Sequence, residues 1–99
     1  MLTGKQRSYL KSLATAIDSV VYIGKNELTD ACLKEMDDYL KVHELVKVKI
    51  QDNIELDPKA AANEAAEKLK AEYVQAIGRK FVLYRESKTN KKIELPNSK

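Results

Sequence analysis

Residues 45–50, Leu-Val-Lys-Val-Lys-Ile, decide the fold because apolar and basic side chains alternate through them. Successive side chains of a β-strand point to opposite faces of a sheet. One face of this segment therefore carries Val46, Val48 and Ile50, and the other carries Leu45, Lys47 and Lys49. The alternation predicts a strand with one face on the core and a half-exposed, basic outer face.

The chain before this strand predicts a helix with a basic solvent side. Apolar residues between positions 3 and 17 recur at three- and four-residue spacings, as on one stripe of an amphipathic helix. Thr3 and Gln6 have the spacing of a capping box, in which two side chains accept hydrogen bonds from each other's backbone N–H groups. Three cations lie off the apolar stripe, namely Lys5, Arg7 and Lys11.

A short strand and a second helix follow the first helix. The β-branched and aromatic run 19–23 predicts a buried strand that ends in a turn at Gly24. Residues 28–42 place apolar side chains on one face and most charged side chains on the other, which predicts a helix. Either Asn26 or Thr29 is suited to cap its start. The turn at the glycine therefore leads directly into a helix N-terminus.

A third helix and a hairpin are predicted after the central strand. Asp57-Pro58 is typical of a helix start, with Asp as the capping residue and Pro at the first helical position. The helix continues through 59–72. Residues 73–77 and 80–85 predict two strands joined by a tight turn at Gly78-Arg79.

The predicted order α-β-α-β-α-β-β is that of a single compact α/β domain over residues 1–99, with 86–99 as a basic C-terminal segment. Strand–helix–strand connections favour parallel neighbours, whereas a hairpin is antiparallel. We therefore expect a mixed sheet of four strands. The 99 residues are enough for one hydrophobic core and too few for two.

Charge is distributed unevenly along the chain. Residues 1–25 carry a net +3 and residues 79–99 a net +5, whereas residues 26–78 carry a net −5. A dipolar chain of this kind can present a basic face to a polyanion. Charge alone is equally compatible with the alternative that the terminal cations only keep the chain in solution.

The chain is expected in the cytoplasm and away from membranes. No apolar stretch is long enough to cross a bilayer, and the N-terminus lacks the apolar segment of a signal peptide. Cys32 is the single cysteine, so no disulfide can form within the chain, as is usual for cytoplasmic proteins.

The titratable residues argue against catalysis. Cys32 lies on the apolar stripe of one helix and His43 lies at a helix end, so the two suggest no common site. Asp37 and Asp38 are adjacent in a helix and point about 100° apart, unlike a catalytic carboxylate pair. No phosphate-binding loop or dinucleotide motif is present. We expect no enzymatic activity, no cofactor, no metal site and no small-molecule substrate.

The turn at Gly24 is the best candidate for a binding site. A glycine at a strand end lets the backbone turn sharply and approach a ligand, and the helix start that follows offers unpaired N–H groups to a phosphate. Lys25 adds a mobile cation, and Asn26 lies in the same turn. The alternative is a plain capped turn that binds nothing.

Further cations are expected to line a groove beside this turn. Strand 45–50 and the hairpin contribute cations that form one lining if these strands are neighbours, and the first helix adds others. The candidate set is Lys5, Arg7, Lys11, Lys47, Lys49, Arg79, Lys80 and Arg85. Three tyrosines in or beside strands can either stack on unpaired bases or pack in the core, and for most of them packing is favoured; they are Tyr22, Tyr73 and Tyr84.

Four spaced segments resemble a known family. They are LTGKQR at 2–7, VYIGKN at 21–26, HELVKVK at 43–49 and IGRKFVLYR at 77–85. In this order they resemble the YhbY-like proteins, the stand-alone bacterial form of the CRM RNA-binding domain, over about residues 2–96. The resemblance implies the topology predicted above. It also implies that the sheet and two helices are similar to the C-terminal domain of translation initiation factor 3.

The resemblance implies a function in RNA binding. Bacterial members of the family associate with precursors of the large ribosomal subunit, and plant organellar relatives assist group II intron splicing. We therefore expect a monomer that binds ribosomal RNA of the large-subunit precursor during ribosome assembly. The alternative is a protein–protein adaptor on a ribonucleoprotein particle, which would use the acidic helices at 28–42 and 58–72.

The family's signature is a GxxG loop between the first strand and the next helix, analogous to the loop with which KH domains clamp RNA. Gly24, Lys25 and Asn26 match it, but the fourth position is Glu27. A side chain there limits the close approach of RNA to the backbone, and its carboxylate repels phosphate. A negative charge in the first helical turn does stabilise the helix, by about 0.3–1 kcal/mol. We therefore expect the grip on RNA to depend on Lys25 and on the strand and hairpin cations as much as on the loop backbone.

Overall fold

The computed structural model describes residues 2–25, 28–52, 54–87 and 93. The predicted order of elements is confirmed. In chain order the elements are α1 (Gly4–Ala14), β1 (Val21–Ile23), α2 (Asp30–His43), β2 (Leu45–Ile50), α3 (Pro58–Leu69), β3 (Glu72–Ile77) and β4 (Lys80–Tyr84).

Each helix begins at a residue whose side chain caps it. Thr3 and Gln6 form the predicted capping box at α1. The Thr29 hydroxyl accepts a hydrogen bond from the backbone N–H of Cys32 at 3.1 Å, so Thr29 rather than Asn26 caps α2. Asp57 caps α3 and Pro58 is its first residue, as predicted. The helices end earlier than expected at α1 and α3, which stop at Ala14 and Leu69.

The sheet has the strand order β1-β2-β4-β3. β1 is parallel to β2, and β4 lies antiparallel to both β2 and β3, so the predicted mixed sheet of four strands is confirmed. β3 has an irregularity in its pairing with β4 between Tyr73 and Gln75. The lysine-bearing strand and the terminal hairpin are therefore neighbours.

Both faces of the sheet are covered, and this corrects one expectation. α2 and α3 pack on the face that carries Val46, Val48 and Ile50, together with Phe81 and Leu83. α1 packs on the opposite face through Leu10 and Ala14, against Leu45, Val74, Val82 and Tyr84. The outer face of β2 was expected to be half exposed, but Leu45 is buried against α1, and Lys47 and Lys49 are each partly buried.

Lys47 connects α1 to the sheet. Its Nζ donates hydrogen bonds to the carbonyl oxygens of Ala14 at 3.1 Å and Ile17 at 3.2 Å. These carbonyls lie at and just beyond the C-terminus of α1, where a helix has unpaired acceptors and a partial negative charge. The ammonium group thus holds the helix end on β2.

Lys47→Met should lower the free energy of unfolding by about 1–2 kcal/mol, because it removes two charge-assisted hydrogen bonds but keeps most of the aliphatic stem. The matched control is Lys49→Met, two residues along the same face, whose ammonium has no hydrogen-bond partner within the described residues. Urea unfolding monitored by circular dichroism measures both. Equal losses in the two variants would contradict a specific role for the Lys47 bonds.

Candidate nucleic-acid interface

The candidate binding residues gather at one end of the sheet, which we call the Gly24 end. β1 and β2 finish there at Ile23 and Ile50, which are paired, and β4 begins there with Lys80. The strand ends are joined by hydrogen bonds from Gln51 N–H to the Ile23 carbonyl at 3.0 Å and from Ile50 N–H to the Arg79 carbonyl at 2.7 Å. These hydrogen bonds hold the strand ends together at the point where the loop after β1 begins.

Gly24 is not required by the backbone conformation. Among the three glycines only Gly78 has a positive φ, at 61°, in the turn between β3 and β4. A Cβ on Gly24 would lie 3.6 Å from Oε1 of Gln51, an ordinary van der Waals contact. The fold therefore does not need a glycine at this position, and close approach of a ligand to Gly24 stays a prediction.

Three lysines at the Gly24 end have no partner within the part of the chain that the structure describes. They are Lys25 beyond β1, Lys49 on β2 and Lys80 on β4. Lys49 and Lys80 are direct partners in the antiparallel register. Directly opposed residues have Cβ atoms about 4.5–5.5 Å apart, and like charges in such a pair destabilise a sheet. A bound polyanion would remove this repulsion.

Arg79 lies at the same end but its guanidinium is occupied. Nε donates to the carbonyl of Ile50 at 3.3 Å, and Nη2 donates to the carbonyls of Gln51 at 2.8 Å and of Ile54. Its contact with the exposed carboxylate of Asp52 is long, at 4.0 Å. Arg79 therefore holds the segment after β2 in place, and RNA contact by this residue stays a prediction, as it does for Lys47.

Arg85 lies at the opposite end, about 17 Å from Lys80 along β4. Nη1 donates to Oδ1 of Asp37 and to the carbonyl of Leu69, both at 2.8 Å, and Nη2 donates to the carbonyl of Asp37 at 3.1 Å. Burial would raise the pKa of Asp37, but hydrogen bonds from Arg85 and Lys41 outweigh it and hold the pKa below its usual 3.8. RNA binding by Arg85 also stays a prediction.

The basic residues of α1 are spread over both ends of that helix. The helix starts beside β3, where Leu2 N–H donates to Oε1 of Glu72 at 3.0 Å and Nε of Arg7 donates to the carbonyl of Tyr73 at 3.3 Å. Lys5 and Lys11 are exposed. Lys11 lies nearer the Gly24 end, since it precedes Thr15 by one helical turn and Thr15 lines a depression together with Lys80.

Comparison with known sequences decides the family. The sequence pattern of the CRS1/YhbY (CRM) domain matches residues 2–85. The chain belongs to the CRM-domain family. It is 40% identical over 96 residues to the "Probable RNA-binding protein YqeI" of Bacillus subtilis, covering 97% of this chain and all of that one. It is 40% identical over 95 residues to an "RNA-binding protein" of Haemophilus influenzae, covering 96% of this chain and 95% of the relative.

A solved structure of a similar protein confirms the fold. The solution structure of the Staphylococcus aureus protein SAV1595 superposes with a TM-score of 0.82 at 48% identity, over 97% of this chain and all of that one. The sequence resemblance to the CRM family and the single α/β domain with a mixed sheet are thus confirmed. The likeness to the C-terminal domain of translation initiation factor 3 stays a prediction.

Of the four residues compared with the GxxG loop, Gly24 and Lys25 are described, whereas Asn26 and Glu27 lie outside the described residues. Predictions that concern those two side chains therefore remain predictions. Lys25 is exposed directly after the glycine.

The tyrosines divide between surface and core. Tyr22 is 56% exposed and pairs with Lys49, so both side chains share the face on which α1 packs. Tyr84 is buried on that face, and burial together with the charges of Glu44 and Glu86 raises its pKa to about 12. Tyr73 is partly buried against the larger core. Only Tyr22 among the three is therefore placed to meet a ligand.

Cys32 and His43, which were considered for catalysis, both lie on α2. Cys32 is buried, and burial together with the charge of the nearby Glu35 carboxylate raises the pKa of its thiol. His43 stacks on Tyr39 with ring centres 4.2 Å apart. No cluster suited to a metal ion occurs among residues 2–25, 28–52, 54–87 and 93. In the same residues, no helix combines the length and apolar character needed to span a membrane.

Gly24→Ala should leave the free energy of unfolding unchanged within about 0.5 kcal/mol, because its Cβ meets only an ordinary contact. Gly78→Ala should cost about 1 kcal/mol or more, because a side chain is strained at a φ of 61°. Thermal unfolding of the two variants makes the comparison. A large loss from Gly24→Ala would show that this glycine serves the fold.

Asp37→Asn should lower stability by about 1–2 kcal/mol at pH 6. Because the pKa of Asp37 is lowered in the folded chain, its contribution is complete above about pH 3.8 and is lost as the pH falls through the folded-state pKa. The difference from wild type in urea unfolding should therefore shrink below pH 4. Asp38→Asn is the control, since Asp38 is exposed and, among the described residues, pairs only with Lys34, so it should change stability by less than about 0.5 kcal/mol.

Proposed function

We propose that this CRM domain binds structured RNA at the Gly24 end of its sheet, gripping the phosphate backbone and catalysing no reaction. The observation that carries the proposal is the direct pairing of Lys49 with Lys80 next to Lys25, with no acidic partner for any of them among the described residues. Three cations held together without a protein counter-charge suit the closely spaced charges of a nucleic acid. The names of two relatives as RNA-binding proteins support the same function.

Hydrogen bonds beneath these three lysines hold the surrounding backbone in place and so position the lysines for binding. Lys47 and Arg79 are bound to backbone carbonyls and hold α1 and the segment after β2 against the strand ends. Consequently Lys25, Lys49 and Lys80 project from a rigid surface, and less side-chain and loop ordering is needed on binding. We assign the direct phosphate contacts to these three lysines, with Lys11 at the margin, and a supporting role to Lys47 and Arg79.

The RNA is proposed to be ribosomal RNA of the large-subunit precursor, bound in the cytoplasm during ribosome assembly. This assignment rests on the resemblance to the bacterial CRM family. It is tested by binding of the chain to a structured fragment of large-subunit ribosomal RNA, with a structured RNA of equal length from the small subunit as the comparison. Equal affinities would leave the RNA-binding function in place and contradict the choice of RNA.

Lys25→Glu should weaken binding to the large-subunit fragment at least tenfold, because it replaces a phosphate contact with a repulsive charge. Lys68→Glu is the matched control, with the same change of charge on α3, where Lys68 forms an exposed pair with Glu64. Fluorescence anisotropy at several salt concentrations measures both variants. About three phosphate contacts in the wild type predict a slope of log affinity against log salt of about −2 to −3, reduced by about one in Lys25→Glu.

Two outcomes would contradict the proposal. Equal weakening by the two substitutions would mean that net charge, not the Gly24 end, governs binding. An affinity that does not change with salt would mean that phosphates are not the main contact. Sedimentation of a cell extract with and without nuclease separates the RNA binder from a protein–protein adaptor, since only the adaptor would stay in large particles after nuclease treatment.

A further inference from the structure

The face of the sheet that carries α1 is only partly covered by that helix. α1 packs on residues toward the opposite end of the strands, among them Leu45, Val82 and Tyr84. Nearer the Gly24 end, one residue from each strand forms a row across the sheet. The pairings Tyr22↔Lys49, Lys49↔Lys80 and Lys80↔Ile77 place these four side chains on one face, in the order β1, β2, β4, β3. We call them the Tyr22 row.

The Tyr22 row has an unusual composition for an uncovered surface. Its two lysines are flanked by an aromatic ring on one side and an aliphatic side chain on the other, and Tyr22 is 56% and Ile77 68% exposed. Neighbouring strands lie about 4.8 Å apart, so the row spans about 14 Å. Glu72 is the acidic residue of the four strands, and it lies at the opposite end with its carboxylate bound to the N–H of Leu2. The row is therefore both cationic and apolar.

The side chain of Tyr22 is held in a defined position. Its hydroxyl donates a hydrogen bond to the carbonyl of Ser19 at 3.1 Å, so the phenol is tethered while the ring remains largely exposed. A shallow depression separates the row from α1, and its lining includes Thr15, Gln75 and Lys80. The amide of Gln75 has no hydrogen-bond partner within the described residues, and it can both donate to and accept from the edge of a base.

We propose, on the basis of the RNA-binding function above, that the Tyr22 row takes an unpaired segment of RNA, with one base stacked on Tyr22 and the adjoining phosphates on Lys49 and Lys80. A continuous duplex offers phosphates but keeps the faces of its bases stacked inside the helix. An unpaired strand offers both a base face and phosphates, which are the two features that this row complements. The preferred target is then a junction between a stem and a single strand.

The test uses a short RNA hairpin with a blunt stem and the same hairpin with an unpaired adenosine tail, one version at each end. Wild-type protein should bind at least one tailed hairpin about tenfold more tightly than the blunt one. Tyr22→Thr, which keeps a strand-forming residue but removes the ring, should lose most of this preference, and Tyr22→Phe should keep it. Tyr9→Ala is the control, because Tyr9 is the other exposed tyrosine on this side and lies outside the row.

A second measurement reports stacking directly. With 2-aminopurine in the tail, binding of wild type and Tyr22→Phe should quench its fluorescence, and binding of Tyr22→Thr should not. Equal affinity of the wild type for blunt and tailed hairpins, or retention of both preference and quenching in Tyr22→Thr, would overturn the proposal. If wild type binds none of the hairpins at low salt, the RNA-binding function itself is contradicted. Where wild type does bind, Lys25→Glu should weaken binding of the blunt and the tailed hairpins by the same factor, because Lys25 lies outside the Tyr22 row.

Discussion

The arrangement of the whole domain depends on β2 being covered on both faces. One face of β2 packs on α2 through valine and isoleucine side chains, and the other would be left partly apolar without α1. Lys47 is compatible with this covered position because its ammonium ends at the carbonyls of Ala14 and Ile17. These bonds join the C-terminal end of α1 to β2, and the face of the sheet beyond that end stays open near the Gly24 end.

Much of the fold could be predicted from the sequence, but the position of α1 could not. The caps at Thr3 and Asp57 and the alternation in 45–50 are local signals, and each predicted its element well. An alternating pattern does not distinguish a lysine that reaches water from one whose stem is covered and whose ammonium meets helix carbonyls. For this reason Lys47, Arg79 and Arg85 resembled surface cations in the sequence, although each is bound to backbone carbonyls in the folded chain.

The grouping of the remaining cations depends on strand register, which sequence patterns specify only in part. The alternation in 45–50 predicted the face on which Lys49 lies. Lys49 meets Lys80 only because β4 of the hairpin is the neighbour of β2. A slip of one residue in the pairing of β2 with β4 would turn the side chains of one strand to the other face. The observed register instead brings Tyr22, Lys49 and Lys80 into one line. Tyr22 could be recognised as exposed only once the part of the sheet face that α1 leaves uncovered was known.

Two physically different attractions can then act at the same end of the domain. Contacts between lysines and phosphates weaken as the salt concentration increases and depend little on the RNA sequence. Stacking of a base on a ring is much less sensitive to salt. Glu27 occupies the position where the resemblance to the CRM family implies the last glycine of the GxxG loop, so less of the proposed binding energy is expected from bare loop backbone. In our proposal, a tethered ring beside two lysines that have no partner among the described residues recovers that energy and favours RNA with unpaired bases over a uniform helix.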